Sequence, residues 1–90
     1  MQKAIVTVMG LDHPGIVAAV SQKIADLPMN ILEINQVILG GYFTMMVLVD
    51  LMDMADQVDR IANDFHEWGK TQNLDIHLQH EDLFHAMNDL

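Results

Sequence analysis

The sequence contains no cysteine among its 90 residues. This absence excludes disulfide bonds, a thiolate nucleophile and a zinc–thiolate site. Positive charge is also scarce, because 4 lysines and arginines stand against 13 carboxylates and the formal net charge is −9 at pH 7. Such a surface repels a phosphate backbone, so we expect no direct binding to nucleic acid.

Long apolar runs are missing as well. No segment approaches the roughly 20 apolar residues that a membrane span requires. The apolar run at the N-terminus is short and is soon followed by Gly10-Leu11-Asp12, which does not match a secretory signal. We therefore expect no membrane partner and a cytoplasmic location.

The chain is nevertheless rich in apolar residues, which make up 51% of a sequence only 90 residues long. This length is typical of one domain, and we assign residues 1–90 to it, with a core over 1–80 and an extension over 81–90. A domain of this size has little interior in which to bury so much apolar surface. We therefore expect a homo-oligomer, a dimer or a tetramer, to bury the excess.

Hydrophobic periodicity predicts elements in the order βαββαβ, followed by a short C-terminal helix. The predicted strands cover residues 3–9, 30–39, 42–51 and 74–79, and the predicted helices cover 13–27, 55–68 and 82–89. Asp12 or His13 is placed to cap the first helix, and Gly69 to end the second. With right-handed crossovers, this order predicts an α+β ferredoxin-like fold, in which two helices cover one face of a four-stranded antiparallel sheet.

The predicted fold leaves the other face of the sheet without a helix. Four side chains of the third strand would lie there: Tyr42, Thr44, Met46 and Leu48. One interpretation is a subunit interface. The alternative is that the C-terminal helix folds back over this face with Leu83, Phe84 and Met87.

The turn between the first strand and the first helix is the segment best suited to binding a ligand. It reads Gly10-Leu11-Asp12-His13-Pro14-Gly15-Ile16-Val17. The start of a helix offers unpaired N–H groups that suit a carboxylate, and Asp12 could accept hydrogen bonds from an ammonium group. Together these groups suit a zwitterion such as an amino acid, although an Asp before a helix that starts with Pro is most often only a helix cap.

This turn, with Asn30-Ile31 at the start of the second strand, resembles the signature of the ACT-domain family. Further segments resemble the small stand-alone single-ACT-domain proteins, which are related to the tandem ACT regulator of the glycine cleavage operon. These segments are Asn30-Ile31-Leu32-Glu33-Ile34 with Gln36, then Gly41-Tyr42-Phe43-Thr44-Met45, and Glu81-Asp82-Leu83-Phe84-His85-Ala86-Met87.

The resemblance implies an allosteric regulatory module that is not an enzyme, needs no cofactor and acts as a homo-oligomer on a regulated protein partner. ACT domains commonly bind amino acids at a subunit interface. The residues that the resemblance assigns to this site are Gly10, Asp12, His13, Pro14, Gly15 and Asn30, with Ile31 as a wall. For Asn30, turn chemistry after Pro28 is an open alternative.

Other chemistry has little support in the sequence. Ser21 lies on a predicted helix without an Asp–His partner nearby, and Arg60 is the sole arginine, in the second helix rather than in a phosphate loop. A metal site at His77, His80 and His85 would need the chain to bend near residue 80, so we expect no metal.

The alternative function is a ligand-free interaction module that docks a partner through the open sheet face or the C-terminal helix.

Overall fold

The computed structural model describes residues 2–82 of the chain. Its elements follow the predicted order, with a 3₁₀ helix, Met52–Gln57, before the second helix: β1 Lys3–Leu11, α1 Ile16–Ala25, β2 Asn30–Leu39, β3 Tyr42–Asp50, α2 Val58–Thr71 and β4 Leu74–His80. The predicted C-terminal helix over 82–89, with Leu83, Phe84 and Met87, lies almost wholly outside the described residues. Within 2–82, no helix is long and apolar enough to cross a membrane.

The four strands form one antiparallel sheet in the order β2-β3-β1-β4. This order is that of the predicted ferredoxin-like fold, with β1 and β3 at the centre. Only one parity of β1 is buried, namely Ala4, Val6 and Val8, whereas Ile5 and Thr7 between them are half-buried on the open face. The strand bounds agree with the prediction to within two residues.

One face of the sheet carries the core. Alternate strand residues are buried there, while both helices contribute residues to the same cluster. The buried strand residues are Ala4, Val6, Val8, Phe43, Met45, Val47, Val49, Leu74, Ile76 and Leu78, and the buried helix residues are Ile16, Val20, Ile24, Ile61 and Phe65. Each large side chain buried in this way contributes about 1.5–3 kcal/mol. The buried residues of β3 alternate with Tyr42, Thr44, Met46 and Leu48, the four side chains that the sequence predicts on the other face.

The start of α1 differs from the prediction. The helix begins at Ile16, its N-cap is Gly15 in the left-handed conformation (φ 83°), and no side chain within residues 2–82 makes a capping hydrogen bond. The prediction that Asp12 or His13 caps this helix is therefore wrong. Pro14 and Gly15 form a separate turn before the helix, so Asp12 lies three residues before the N-cap residue Gly15.

The second helix begins and ends three residues later than predicted: it covers Val58–Thr71 rather than 55–68. Gly69 does not end it; the positive φ angle that follows the helix belongs to Asn73 (φ 58°). Gly69 is instead buried against β4, where a Cβ would lie 2.8 Å from the Leu74 carbonyl oxygen and 3.0 Å from Ile76 Cγ1. Its lack of a side chain lets α2 approach the strand closely.

The edge strand β2 is exposed on both of its faces. Ile34 and Ile38 lie opposite Val47 and Phe43 and therefore share the core side of the sheet, yet they are 45% and 58% exposed. Val37 and Leu39, on the other side, are also exposed. The two helices thus leave β2 uncovered, which gives the sheet an apolar free edge.

Replacing Gly69 with alanine should destabilise the protein by roughly 1–3 kcal/mol, because the new Cβ would push α2 away from β4. The direction of the change in stability is diagnostic, since replacing glycine with alanine at an uncrowded helix position stabilises a protein by about 0.5–1 kcal/mol. Asn63→Ala, at an exposed position of α2, is the control and should change the free energy of unfolding by less than about 0.5 kcal/mol. Urea denaturation measures both variants. A Gly69→Ala protein as stable as the parent would contradict the packing described for α2.

Candidate functional site

The turn between β1 and α1 is held against two other parts of the fold. The Asp12 backbone N–H donates a hydrogen bond to the Gly41 carbonyl oxygen at 2.9 Å, which ties the turn to the hairpin between β2 and β3. Gly10 lies against the start of β4, where a Cβ would be 2.8 Å from Leu74 Cδ2 and 3.1 Å from the Asn73 carbonyl oxygen. Glycine at this position therefore lets β1 and the end of the α2–β4 turn lie in contact.

A hollow of about 760 Å³ opens beside this turn. Its lining comes from two separate stretches of chain, Leu11, Asp12 and His13 on one side and Thr71, Gln72 and Asn73 on the other. The volume falls in the range of small-molecule sites. Periodicity did not indicate residues 71–73 as part of a site, because they reach it only through the pairing of β1 with β4.

The N-terminus of α1 follows this turn directly. The first N–H groups of a helix have no acceptor within the helix and carry a partial positive charge. No acidic residue lies in the first turn of α1, and no side chain in the described part of the chain caps it. These donors are therefore not neutralised from within their own helix, which suits the carboxylate of a ligand.

His13 has an unsatisfied polar atom in this turn. Its Nδ1 lies 3.2 Å from the Pro14 carbonyl oxygen, an acceptor, so Nδ1 carries the proton in this contact. Its Nε2 is buried and has no hydrogen-bond partner among the described residues. A buried polar atom without a partner costs about 1–3 kcal/mol, so His13 has an unused acceptor when its ring is neutral.

Asn30 and Ile31 are not brought to the turn within one chain. Asn30 lies opposite Asp50 at one end of the sheet, whereas Leu39 and Leu11 both lie opposite Tyr42 at the other end. The ten residues of β2 place its two ends nine residue steps apart, about 30 Å at 3.4 Å per step. Asn30 is exposed and Ile31 is half-buried against the core. One copy of the chain therefore assembles Gly10–Gly15 but not the complete set of predicted residues.

A second hollow, of about 350 Å³, lies on the open face of the sheet. Apolar and acidic side chains line it, together with one amide: Ile5, Met46, Leu48, Glu33, Glu81 and Asn35. It is separate from the β1–α1 turn in its lining residues. Met46 is 37% exposed here, so the described part of the chain leaves this face partly uncovered.

The fold and the turn together define an ACT domain. The family model described as "ACT domain" matches residues 2–79, and the chain belongs to this family. Its relatives of similar length are UPF0237 proteins. One from Listeria innocua is 40% identical over 88 residues, which cover 98% of this chain and 99% of that protein. Another, from Streptococcus mutans, is 44% identical over 88 residues with the same coverage.

Solved structures agree with this assignment. An ACT domain protein from Streptococcus pneumoniae superposes with a TM-score of 0.83 at 44% sequence identity, and the match covers 92% of this chain and 93% of that chain. A putative glycine cleavage system transcriptional repressor has a TM-score of 0.73 at 21% identity, covering 88% of this chain and 45% of the other. The second similarity concerns the fold alone. The resemblance found in the sequence is confirmed.

The left-handed conformation of Gly15 makes a specific prediction about the turn. A Cβ at Gly15 would meet no heavy atom within 4 Å, so Gly15→Ala tests backbone conformation without steric crowding. We expect a loss of about 1–2 kcal/mol in the free energy of unfolding, because alanine disfavours φ 83°. Gly15→Asn should lose less, since asparagine tolerates this region. Denaturation of the two variants measures the difference, and equal losses would mean that φ is not the cause.

Proposed function

We propose that the protein is a non-enzymatic regulatory module that binds an amino acid at the turn between β1 and α1. The observation that carries this proposal is the buried, unpartnered Nε2 of His13, beside Asp12 and the uncapped start of α1. The structural explanation for Asp12, that of a helix cap, does not apply in this fold. Its carboxylate is therefore available to a ligand.

These three protein groups match the two charged groups of an amino acid. The ligand carboxylate would accept from the first N–H groups of α1. The ligand ammonium would donate to Asp12 and to Nε2 of His13. Hydrogen bonds to charged groups contribute about 1.5–3 kcal/mol each, and the hollow beside Thr71, Gln72 and Asn73 provides space for the ligand side chain.

The proposed functional unit is a homodimer in which β2 pairs with β2 of a second copy. β2 has a free edge with exposed apolar residues on both faces, and Glu33 is its one charged residue. A free apolar edge is a template for pairing with another chain. No proline interrupts β2, so its backbone groups are available for such a ladder.

This dimer would complete the predicted site. In a two-fold antiparallel pairing, the start of one β2 lies beside the end of the other. Asn30 and Ile31 of the second copy would then lie near Leu39 and the Gly40-Gly41 hairpin, to which Asp12 is hydrogen-bonded. A ligand that contacts both copies favours the dimer over the separated chains, which is the basis for regulation of a partner protein.

A screen of the twenty amino acids by thermal shift tests the ligand. At about 100 times its dissociation constant, the correct amino acid should stabilise the protein by about 2.7 kcal/mol. Asp12→Ala and His13→Leu should abolish this shift, and His13→Leu should leave the ligand-free protein at least as stable, because it removes an unpaired polar atom. Asp26→Ala, at the far end of α1, is the control and should retain the shift. Absence of a shift with all twenty, in an intact dimer, would contradict the proposal.

The dimer makes a prediction of its own. Ile38→Lys places a charge on the exposed core side of β2 and should convert the dimer to a monomer, as measured by light scattering. Asn63→Lys adds the same charge to an exposed position of α2 and should leave the mass of the assembly unchanged. A dimer that survives Ile38→Lys would place the interface elsewhere.

A ligand-free interaction module is the second candidate, and the hollow on the open sheet face favours it. Its apolar floor of Ile5, Met46 and Leu48 is suited to a side chain of a partner. This function differs from the first in one measurable way, because it predicts no thermal shift with any amino acid.

A further inference from the structure

Three side chains that can ligate a metal ion converge at the β4 edge of the sheet. His66 of α2 and Asp75 and His77 of β4 each offer a donor atom, and these atoms lie within 4.8 Å of one another. His77 Nε2 is 2.9 Å from Asp75 Oδ1. The rings of His66 and His77 are in contact, with centroids 5.7 Å apart and planes inclined by 37°.

The fold explains this convergence. Asp75 and His77 are two residues apart and so point to the same side of β4, alternating with the buried Ile76. Because β4 is an edge strand, no further strand separates this pair from α2, which packs beside it and carries His66. Asp75 and His77 are about half exposed, at 53% and 49%, so an ion can reach them from solvent.

The electrostatic surroundings favour a cation. Residues 46–90 carry ten carboxylates against Arg60 and Lys70, a net charge of −8. The contacts seen for basic side chains lie elsewhere, with Lys23 on Asp64, Lys70 on Glu67 and Arg60 on Gln57. The two adjacent imidazoles and Asp75 therefore lie within an acidic half of the chain, and none of these three basic side chains contacts them.

We propose that His66, Asp75 and His77 form a binding site for a divalent transition-metal ion of the Zn²⁺, Ni²⁺ or Co²⁺ type. Two imidazole nitrogens and one carboxylate oxygen suit these ions, whereas Mg²⁺ and Ca²⁺ prefer sets of oxygen ligands. Bonds of 2.0–2.2 Å require donor atoms about 3–3.5 Å apart, so rotation of half-exposed side chains is sufficient to close the group. The remaining coordination positions are open to water.

This site differs from the one weighed in the sequence. The histidines close together in sequence are His77, His80 and His85, but His80 contacts Gln2 at 2.7 Å and lies beside Asp82. His85 lies outside the described residues. His66 joins His77 instead of His80 and His85, because α2 packs on β4. The bound ion would join α2 to β4, at the opposite edge of the sheet from β2, so the proposal does not depend on the amino-acid site.

Calorimetric titration of the metal-free protein with ZnCl₂ tests the site. We expect one high-affinity ion per chain, a rise in melting temperature with Zn²⁺ and no response to Mg²⁺. His66→Gln and His77→Gln should each weaken binding by at least about tenfold, since even outer-shell partners of a metal contribute that much. His80→Gln, on the same strand but outside the group, is the matched control and should bind as the parent does.

Two results would overturn the proposal. One is the absence of high-affinity Zn²⁺ binding by the folded parent protein. The other is Zn²⁺ binding that is unchanged in both His66→Gln and His77→Gln. Loss of binding in His80→Gln together with that result would assign the ion to the C-terminal histidines. Circular dichroism of the metal-free variants confirms that each is folded, and the positions of His66 and His77 outside the core make this the expected result.

Discussion

The pairing of β1 with both of its neighbours is the constraint on which the rest of the structure depends. Its register with β4 places Gly10 opposite Leu74, and its register with β3 places Leu11 opposite Tyr42. These two ladders bring the α2–β4 turn and the β2–β3 hairpin to the same end of the sheet. The β1–α1 turn is thereby held between the β2–β3 hairpin, about 30 residues further along the chain, and the α2–β4 turn, about 60 residues further along.

The two edges of the sheet differ in chemistry because different elements lie beside them. Neither helix covers β2, and it presents apolar residues to solvent. α2 packs against β4, and the polar side chains of that strand meet a histidine of the helix at its border. A single core of 17 buried residues thus supports two sheet edges of different chemistry.

The residues of the candidate site show which spatial relations a local sequence pattern can predict and which it cannot. The turn Gly10–Gly15 is contiguous, so its role as one structural unit can be predicted from the sequence. The capping role expected for Asp12 was wrong, because Gly15 adopts the left-handed conformation and moves the helix start to Ile16. Thr71, Gln72 and Asn73 could not be predicted as neighbours of the turn, since no periodic feature of those residues indicates which strand they approach.

Periodicity of apolar residues determined the strands, the helices and the α+β class, because alternation and 3.6-residue spacing are properties of short stretches of chain. The acidity of the C-terminal half and the exclusion of thiol chemistry also follow from composition alone. The tertiary structure decided which glycine allows close packing and which histidines lie together. It also placed Asn30 far from Asp12 within one chain. These relations depend on strand register and helix packing, which join residues distant in sequence and leave no local pattern by which to find them.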